Sequence, residues 1–371
     1  MRILYFSRDY TPHDHRFLTA IVENGYEVFH LRLEHSSRTL ESRPLPAGVQ
    51  PVTWAGGRSR ARILDFPRLL LSLKRVLRRI QPDLIHAGPV QSAALLAALS
   101  GFRPLVTMSW GSDMLLDSSR NSFFRWATGF VLRRSSLFLA DCLAVRDRAV
   151  EFGFPTDRIV VFPWGVDLDH FSPGTSGPVR SGAGWGADFV LLHSRSWEPV
   201  YGVDIFVRAF ASAAGQRPGL KLFMLGGGSM ETELHRMFAG NGVADRVVFP
   251  GQIGYDDLPS YYRSADLYVS ASRSDGSSIS LLEAMASGLP ALVSDIPANR
   301  EWVAAGENGW RFPDGDAEAL SHALLNAYDH RAQLSGMGRA ARRTAEMRAD
   351  WDQNVNTLLA AYEMAFDSVK N

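Results

Sequence analysis

Asp275 and Glu283 stand with seven residues between them in the stretch Asp266 to Glu301. An ionised carboxylate accepts hydrogen bonds through both oxygens, so each can hold a pair of vicinal hydroxyls. Between them a short polar loop, Ser272 to Ser278, gives way to a run with helical spacing, Ile279 to Ser287. A loop that ends on a helix N-terminus offers free N–H groups and the positive end of the helix dipole, which favour phosphate. Here that phosphate would lie over Gly276, Ser277, Ser278 and Ile279. Carboxylates repel a phosphate, so the two acids need another task. Phosphate at the helix end, a ribose at one carboxylate and a sugar at the other form a coherent set. The plainer alternative has Asp275 capping the helix and Glu283 in solvent.

The elements around this pair read as one unit. Leu267 to Ala271 is apolar and suits a buried strand; Leu282, Met285 and Ala286 mark the inward face of the helix. Gly288 sits where a helix end wants a left-handed residue, and Pro290 prevents continuation. Ala291 to Ser294 is the next buried strand. A strand–loop–helix–strand unit belongs to a parallel α/β sheet, whose ligands bind beyond the carboxyl ends of the strands. The chain opens in the same manner, with a strand over Ile3–Phe6, a polar loop SRDYTPHD, a helix over His15–Asn24 stopped by Gly25, and a strand over Glu27–Leu33. The first loop has no G-x-G-x-x-G, which disfavours an ordinary NAD site. Asp9, His13 and His15 stand at the carboxyl end of that first strand and could read an acceptor; alternatively the loop is solvated, with His13 or His15 capping the helix.

A chain of 371 residues with 46% hydrophobic and 21% charged residues has the balance of a soluble globular protein of about two domains. Its formal net charge of zero gives no case for nucleic acid. Residues 1–171 carry 22 Lys and Arg against 16 Asp and Glu, leaving 17 against 23 in the remainder. Cys142 is the one cysteine, which excludes an internal disulfide and a cysteine zinc site and fits a reducing cytoplasm. The N-terminal apolar run is too short for a signal peptide, and Ala93–Leu99 is far too short for a membrane span. A soluble or peripheral cytoplasmic protein is expected. From Arg58 to Arg79 there are eight basic residues and one acid, on a stretch whose helical part, Phe66–Ile80, is amphipathic; Arg125, Arg133 and Arg134 mix with Phe123, Phe124 and Trp126. Such mixtures suit the anionic inner face of a membrane. The alternative is that the apolar faces pack on the sheet and the arginines are solvated.

Asp275-Gly276-x6-Glu283-Ala284-Met285-Ala286-x-Gly288-x-Pro290 resembles the E-x7-E donor-site signature of the retaining family-four glycosyltransferases, with Asp275 for the first Glu and Ser277-Ser278 for the usual Phe-Gly. The resemblance extends over nearly the whole chain. DLIHAGP resembles the family's strand that ends in His, and PWGVDLDHFSPG the stretch that ends its first domain. It implies the α/β GT-B fold, two Rossmann-like doubly wound domains facing a cleft. Residues 1–172 would form the acceptor-side domain, 187–350 the nucleotide-sugar domain, and 351–371 a helix crossing back, with the Gly-rich run from Gly174 to Gly186 as linker. The family places an Arg after the strand Val190–His193 and a Lys six residues on, both against the donor diphosphate. Arg195 matches; Tyr201 takes the Lys position, and its hydroxyl can donate one hydrogen bond but brings no charge. Gly227, in the run after Leu220–Leu225, and Ile253, in the family's base-contact loop, complete the donor side. In the SWGSD segment Trp110 stands where many relatives have a His near the reacting sugar, followed by Ser112 and Asp113.

The resemblance therefore implies a retaining glycosyltransferase that moves a sugar from a nucleotide-sugar, UDP-linked by first choice and GDP-linked by second, to a glycan, lipid-linked or small-molecule acceptor. Arg195, Asp275, Asp113 and His15 are the candidates for the chemistry, and Asp9, His13, His15, Trp110 and Asp113 for the acceptor side. No D-x-D pair lies at a strand end, since Asp167-x-Asp169 falls between the domains, so no metal or cofactor is expected; Arg195 and the helix N-terminus can stabilise a leaving phosphate instead. Competing readings are another GT-B enzyme, such as a nucleotide-sugar epimerase or a phosphorylase, and a non-catalytic sugar-nucleotide or glycan binder. A phosphorylase needs a pyridoxal-phosphate lysine, and Lys74, Lys221 and Lys370 are poorly placed for one.

Overall fold

The computed structural model describes residues 1–35, 41–175 and 178–368. The chain divides into two compact units, Met1–Phe162 with Val355–Asn371, and Pro163–Asn354. The last helix, Trp351–Asp367, joins the first unit from Val355 on.

The first unit holds β1 (Arg2–Ser7), β2 (Glu27–Arg32), β3 (Val49–Pro51), β4 (Leu84–Gly88), β5 (Leu105–Met108), β6 (Leu137–Ala140) and β7 (Ile159–Val161), in the order β3-β2-β1-β4-β5-β6-β7. Every pairing is parallel. Strands covered on both faces need apolar side chains on both, which is why β4, β5 and β6 are buried along their length. The helix after β1 spans Pro12–Glu23 and so begins before His15. Thr11 caps it, rather than His13 or His15: the Asp14 N–H donates to Thr11 Oγ1 and the Thr11 N–H donates to Asp14 Oδ2 at 2.8 Å. This reciprocal pair satisfies two first-turn donors, and Pro12 presets the first helical φ. The helix Phe66–Ile80 buries Leu69, Leu73, Val76, Leu77 and Ile80, so its apolar face is spent on packing. Its Arg68 reaches the Ala55 carbonyl at 3.1 Å. No helix among the described residues is long and apolar enough to cross a membrane. Of the loop expected over 38–62, residues 38–40 lie outside the described residues, and the short strand falls at β3, just before Val52.

The second unit holds β8 (Phe189–His193), β9 (Leu220–Leu225), β10 (Val247–Gly251), β11 (Leu267–Ser270), β12 (Ala291–Ser294) and β13 (Gly309–Phe312), in the order β10-β9-β8-β11-β12-β13, again all parallel. Alternate residues of β8 feed the two cores: Leu191 packs with Phe206, Leu222 and Val269 on one face, and Val190 and Leu192 with Tyr268, Leu281 and Val293 on the other. The Gly-rich run is not bare linker. It contains a short helix, Pro178–Gly182, whose Arg180 pairs with Asp266 at 3.0 Å and donates to the Trp185 carbonyl at 3.2 Å. Glycine content signalled turns; the ordering force is a guanidinium whose carboxylate partner is far away in sequence.

Candidate functional site

The order reversal in the second sheet lies at β8. β9 and β10 are laid down on one side of it and β11 to β13 on the other, so the loops after β8 and β11 become neighbours. Arg195 follows β8 and Asp275 follows β11. Arg195 Nη2 lies 2.6 Å from Asp275 Oδ2, with both side chains largely buried. Arg195 Nη1 donates to Ser278 Oγ at 3.1 Å and Ser280 Oγ at 3.4 Å. Its Nε is buried with no hydrogen-bond partner. Burial pushes the Asp275 carboxyl above its ordinary range, while Arg195 and the Gly276 N–H pull the other way.

The helix after this loop, Ile279–Ala286, begins at Ser278 with no side-chain cap. The Ser278 hydroxyl is engaged by Arg195 and Asp275 instead, so the first-turn N–H groups stay available. Glu283 lies on the buried side of the helix, 8% exposed, and its Oε2 accepts from the Tyr262 hydroxyl at 2.7 Å. Ser194 lies 3.0 Å from the same hydroxyl. Neither Tyr262 nor Ser194 carried any signal in sequence, because each acts through a side chain it meets only in the folded sheet.

The other donor-side candidates have visible structural duties. Tyr201 lies with its ring under Arg195, whose Cζ is 4.1 Å from the ring centroid. The Gly227 carbonyl accepts from the Trp197 N–H at 3.1 Å. At its neighbour Gly228 a Cβ would stand 2.4 Å from the Trp197 carbonyl oxygen, which explains that glycine as a close backbone crossing. Ser277 Oγ accepts from Trp302 Nε1 at 3.2 Å. Gly276 is buried in the loop, Ile279 opens the helix, and Ile253 follows β10, half-buried against the apolar cluster of Tyr262 and Leu281.

In the first unit Asp9, His13 and His15 follow β1, and Trp110 and Asp113 follow β5. Trp110 and His13 meet edge to face at 5.5 Å between ring centroids. The Asp113 carboxylate is buried and fully engaged: Oδ1 accepts from Ser109 Oγ at 2.7 Å and the Trp110 N–H at 2.8 Å, and Oδ2 from the Val90 N–H at 2.9 Å. It anchors the loop that carries Trp110. Asp113 opens a π-helical turn, Asp113–Asp117, that the sequence did not suggest. Asp9 faces elsewhere, with Arg32 Nη1 at 3.7 Å. His15 tilts against Tyr10 at 6.4 Å, and burial lowers its pKa. A cavity of about 400 Å³ opens beside Trp110 and Asp113, lined also by Arg8, Glu34, Arg120 and Phe123. Among the described residues no group of three or more His, Cys, Asp or Glu side chains is arranged to hold a metal ion.

Two family models match the chain. Residues 13–170 match Glycosyltransferase Family 4, and residues 184–344 match Glycosyl transferases group 1. A D-inositol 3-phosphate glycosyltransferase of Paenarthrobacter aurescens is 27% identical over 93% of this chain and 90% of its own length. The same-named protein of Acidothermus cellulolyticus is 32% identical over 61% of this chain, a stretch that spans only 55% of that relative. Among solved structures, the Anabaena protein HepE in complex with UDP-glucose superposes with a TM-score of 0.80 over 97% of this chain and 100% of that one, at 20% identity. At that identity the likeness speaks for the fold.

Proposed function

Because this chain belongs to the family-four (group 1) glycosyltransferases, we propose that it moves a sugar from a nucleotide-sugar to an acceptor hydroxyl, with retention and without a metal. One observation carries the reading: Arg195 and Asp275, 2.6 Å apart, sit at an uncapped helix N-terminus with Glu283 buried further along the same helix.

In the reaction the bond from the sugar C1 to the phosphate oxygen breaks and a bond from C1 to the acceptor oxygen forms. The acceptor proton passes to the leaving phosphate. Negative charge grows on that phosphate, and a preset guanidinium with free helix N–H groups meets it at little reorganisation cost. Arg195 meets the phosphate from the position in which it is held, and the Asp275 carboxylate beside it accepts from the sugar hydroxyls. Glu283, steered by Tyr262, takes the ribose hydroxyls. A UDP-sugar is the first choice of donor and a GDP-sugar the second. The acceptor meets the first unit at His13, His15 and Trp110, with Asp113 holding the loop of Trp110 and Asp9 after β1 at the edge.

The test is a panel of UDP-, GDP- and CMP-linked sugars incubated with the protein, read by release of free nucleotide and by direct titration of UDP, GDP and CMP. Slow hydrolysis of one donor class with matching nucleotide affinity is the expected result. Nucleotide binding without turnover would instead favour a sugar-nucleotide binder, and no binding at all would overturn the donor site.

A further inference from the structure

We propose that Tyr201 is a positioning residue: the face of its ring, and not its hydroxyl, holds the Arg195 guanidinium in the plane the leaving phosphate meets. The inference rests on the donor-site reading above. By residue type, Tyr201 offers the phosphate one hydroxyl. The geometry puts its ring to use first, with Arg195 Cζ 4.1 Å from the centroid.

A guanidinium is planar, and its hydrogen bonds lie in that plane. Ser278 and Ser280 accept from Nη1 at 3.1 and 3.4 Å, while Asp275 Oδ2 pairs with Nη2 by charge at 2.6 Å without the alignment of a hydrogen bond. These contacts fix where the group sits along its edge. They resist tilting out of the plane only weakly, and that is the motion a ring beneath the face blocks. Nε is left buried and without a partner, a donor aimed from a group otherwise held on its remaining side. A cation over an aromatic face is worth most where water is excluded, as it is here.

The ring is itself held by main chain. Tyr201 closes the turn Pro199–Tyr201, and its N–H donates to the Glu198 carbonyl at 2.9 Å. Gly202 follows at φ +58°, where a Cβ would stand 2.2 Å from the Ala271 carbonyl oxygen. The Arg273 N–H donates to the Val200 carbonyl at 2.9 Å. The turn that carries Tyr201 is thus clasped to the loop that carries Asp275. The ring packs against the apolar cluster of Val203 and Phe206.

The experiment compares full-length wild type, Tyr201→Phe and Tyr201→Leu by two readouts. One is the ¹⁵N–¹H signal of the Arg195 side chain, which a ring at this distance shifts by its ring current and which needs no substrate. The other is kcat and KM for hydrolysis of UDP-glucose and GDP-glucose. Tyr201→Phe keeps the shift and stays within about threefold of wild type in kcat. Tyr201→Leu loses the shift and drops kcat on the order of ten- to thirtyfold with KM little changed, because the charge that Arg195 meets develops in the transition state. Equal loss in Tyr201→Phe and Tyr201→Leu would assign the role to the hydroxyl and overturn the proposal. So would an unchanged shift in Tyr201→Leu. If wild type turns over neither donor, the donor reading fails while the Arg195 signal still decides whether the ring holds it.

Discussion

Replacing Glu283 by Gln isolates what the buried carboxylate does. Glu283 is 8% exposed, and the Tyr262 hydroxyl donates to its Oε2 at 2.7 Å. The same hydroxyl lies 3.2 Å from the Ser280 carbonyl, but it has one proton, and the shorter bond to a charged acceptor takes it. In the variant the amide oxygen can still accept from Tyr262, so the packing survives. The amide NH₂ then faces the position of the two ribose hydroxyls, which must turn and accept from it as neutral partners. A hydrogen bond to a charged group contributes about 1.5–3 kcal/mol and a neutral one about 0.5–1.5. The loss is therefore about 1–1.5 kcal/mol for each hydroxyl, and about 2–3 kcal/mol for the pair. That is on the order of thirty- to a hundredfold in nucleotide Kd. Titration calorimetry with UDP and GDP reads the effect, and thermal melting by circular dichroism shows that Glu283→Gln remains folded. Wild-type affinity in a folded variant would refute the ribose assignment and leave Glu283 a structural partner of Tyr262.

Arg195→Ala is expected to lower turnover by about 10²–10³ with a smaller effect on nucleotide affinity, as for loss of a donor that acts in the transition state. Activity that EDTA abolishes and Mg²⁺ restores would show that a metal, not Arg195, meets the phosphate. Gly202→Ala forces a Cβ into left-handed backbone 2.2 Å from the Ala271 carbonyl oxygen, so the second unit should melt about 5–10 °C lower; an unchanged melting temperature would mean that the clasp between the two loops is slack. Burial lowers the pKa of His193 to about 4, of His30 to about 4 and of His86 to about 3. Their folded pKa values lie below the unfolded value of about 6.5, so the stability they lend is whole above that pH and is lost as pH falls toward 4, about 2 kcal/mol for each by pH 5. Urea midpoints at pH 7 and pH 5 read this, and His193→Gln, which can still donate to the Val269 carbonyl now 3.1 Å from Nδ1, should flatten the slope of the second unit; equal midpoints at the two pH values would contradict it.

Much of the second unit was legible because local rules agree there. The apolar run of β11, the polar loop, the helix spacing from Ile279, then Gly288 and Pro290 leave one reading, and Gly288 adopts φ +73° at the helix end as expected. The parallel α/β character of both units followed from the same alternation of apolar runs and helices. Boundaries failed where a side chain, not a propensity, sets them. Thr11 starts its helix ahead of His15 because Asp14 completes the capping box, and Arg180 orders a helix inside a glycine-rich run. The π-helical turn at Asp113–Asp117 forms where the Asp113 carboxylate collects donors from Ser109, Trp110 and Val90, the last of them on another strand's loop.

By itself the sequence determined which residue types could serve a phosphate and two sets of hydroxyls, since Asp275, Glu283 and the helix start between them are close along the chain and their spacing is set by helix geometry. It also pointed to parallel α/β units, whose central strands are buried along their length. Only the tertiary structure decided which groups meet. Arg195 reaches Asp275 because β11 pairs with β8 and not with β10, its predecessor in sequence. Tyr262 holds Glu283 because the helices Leu258–Arg263 and Ile279–Ala286 pack side by side, and Tyr201 lies beneath Arg195 because the turn Pro199–Tyr201 folds back within the connection after β8. Strand order depends on which apolar faces cover one another, a property of the whole packed unit rather than of any one segment.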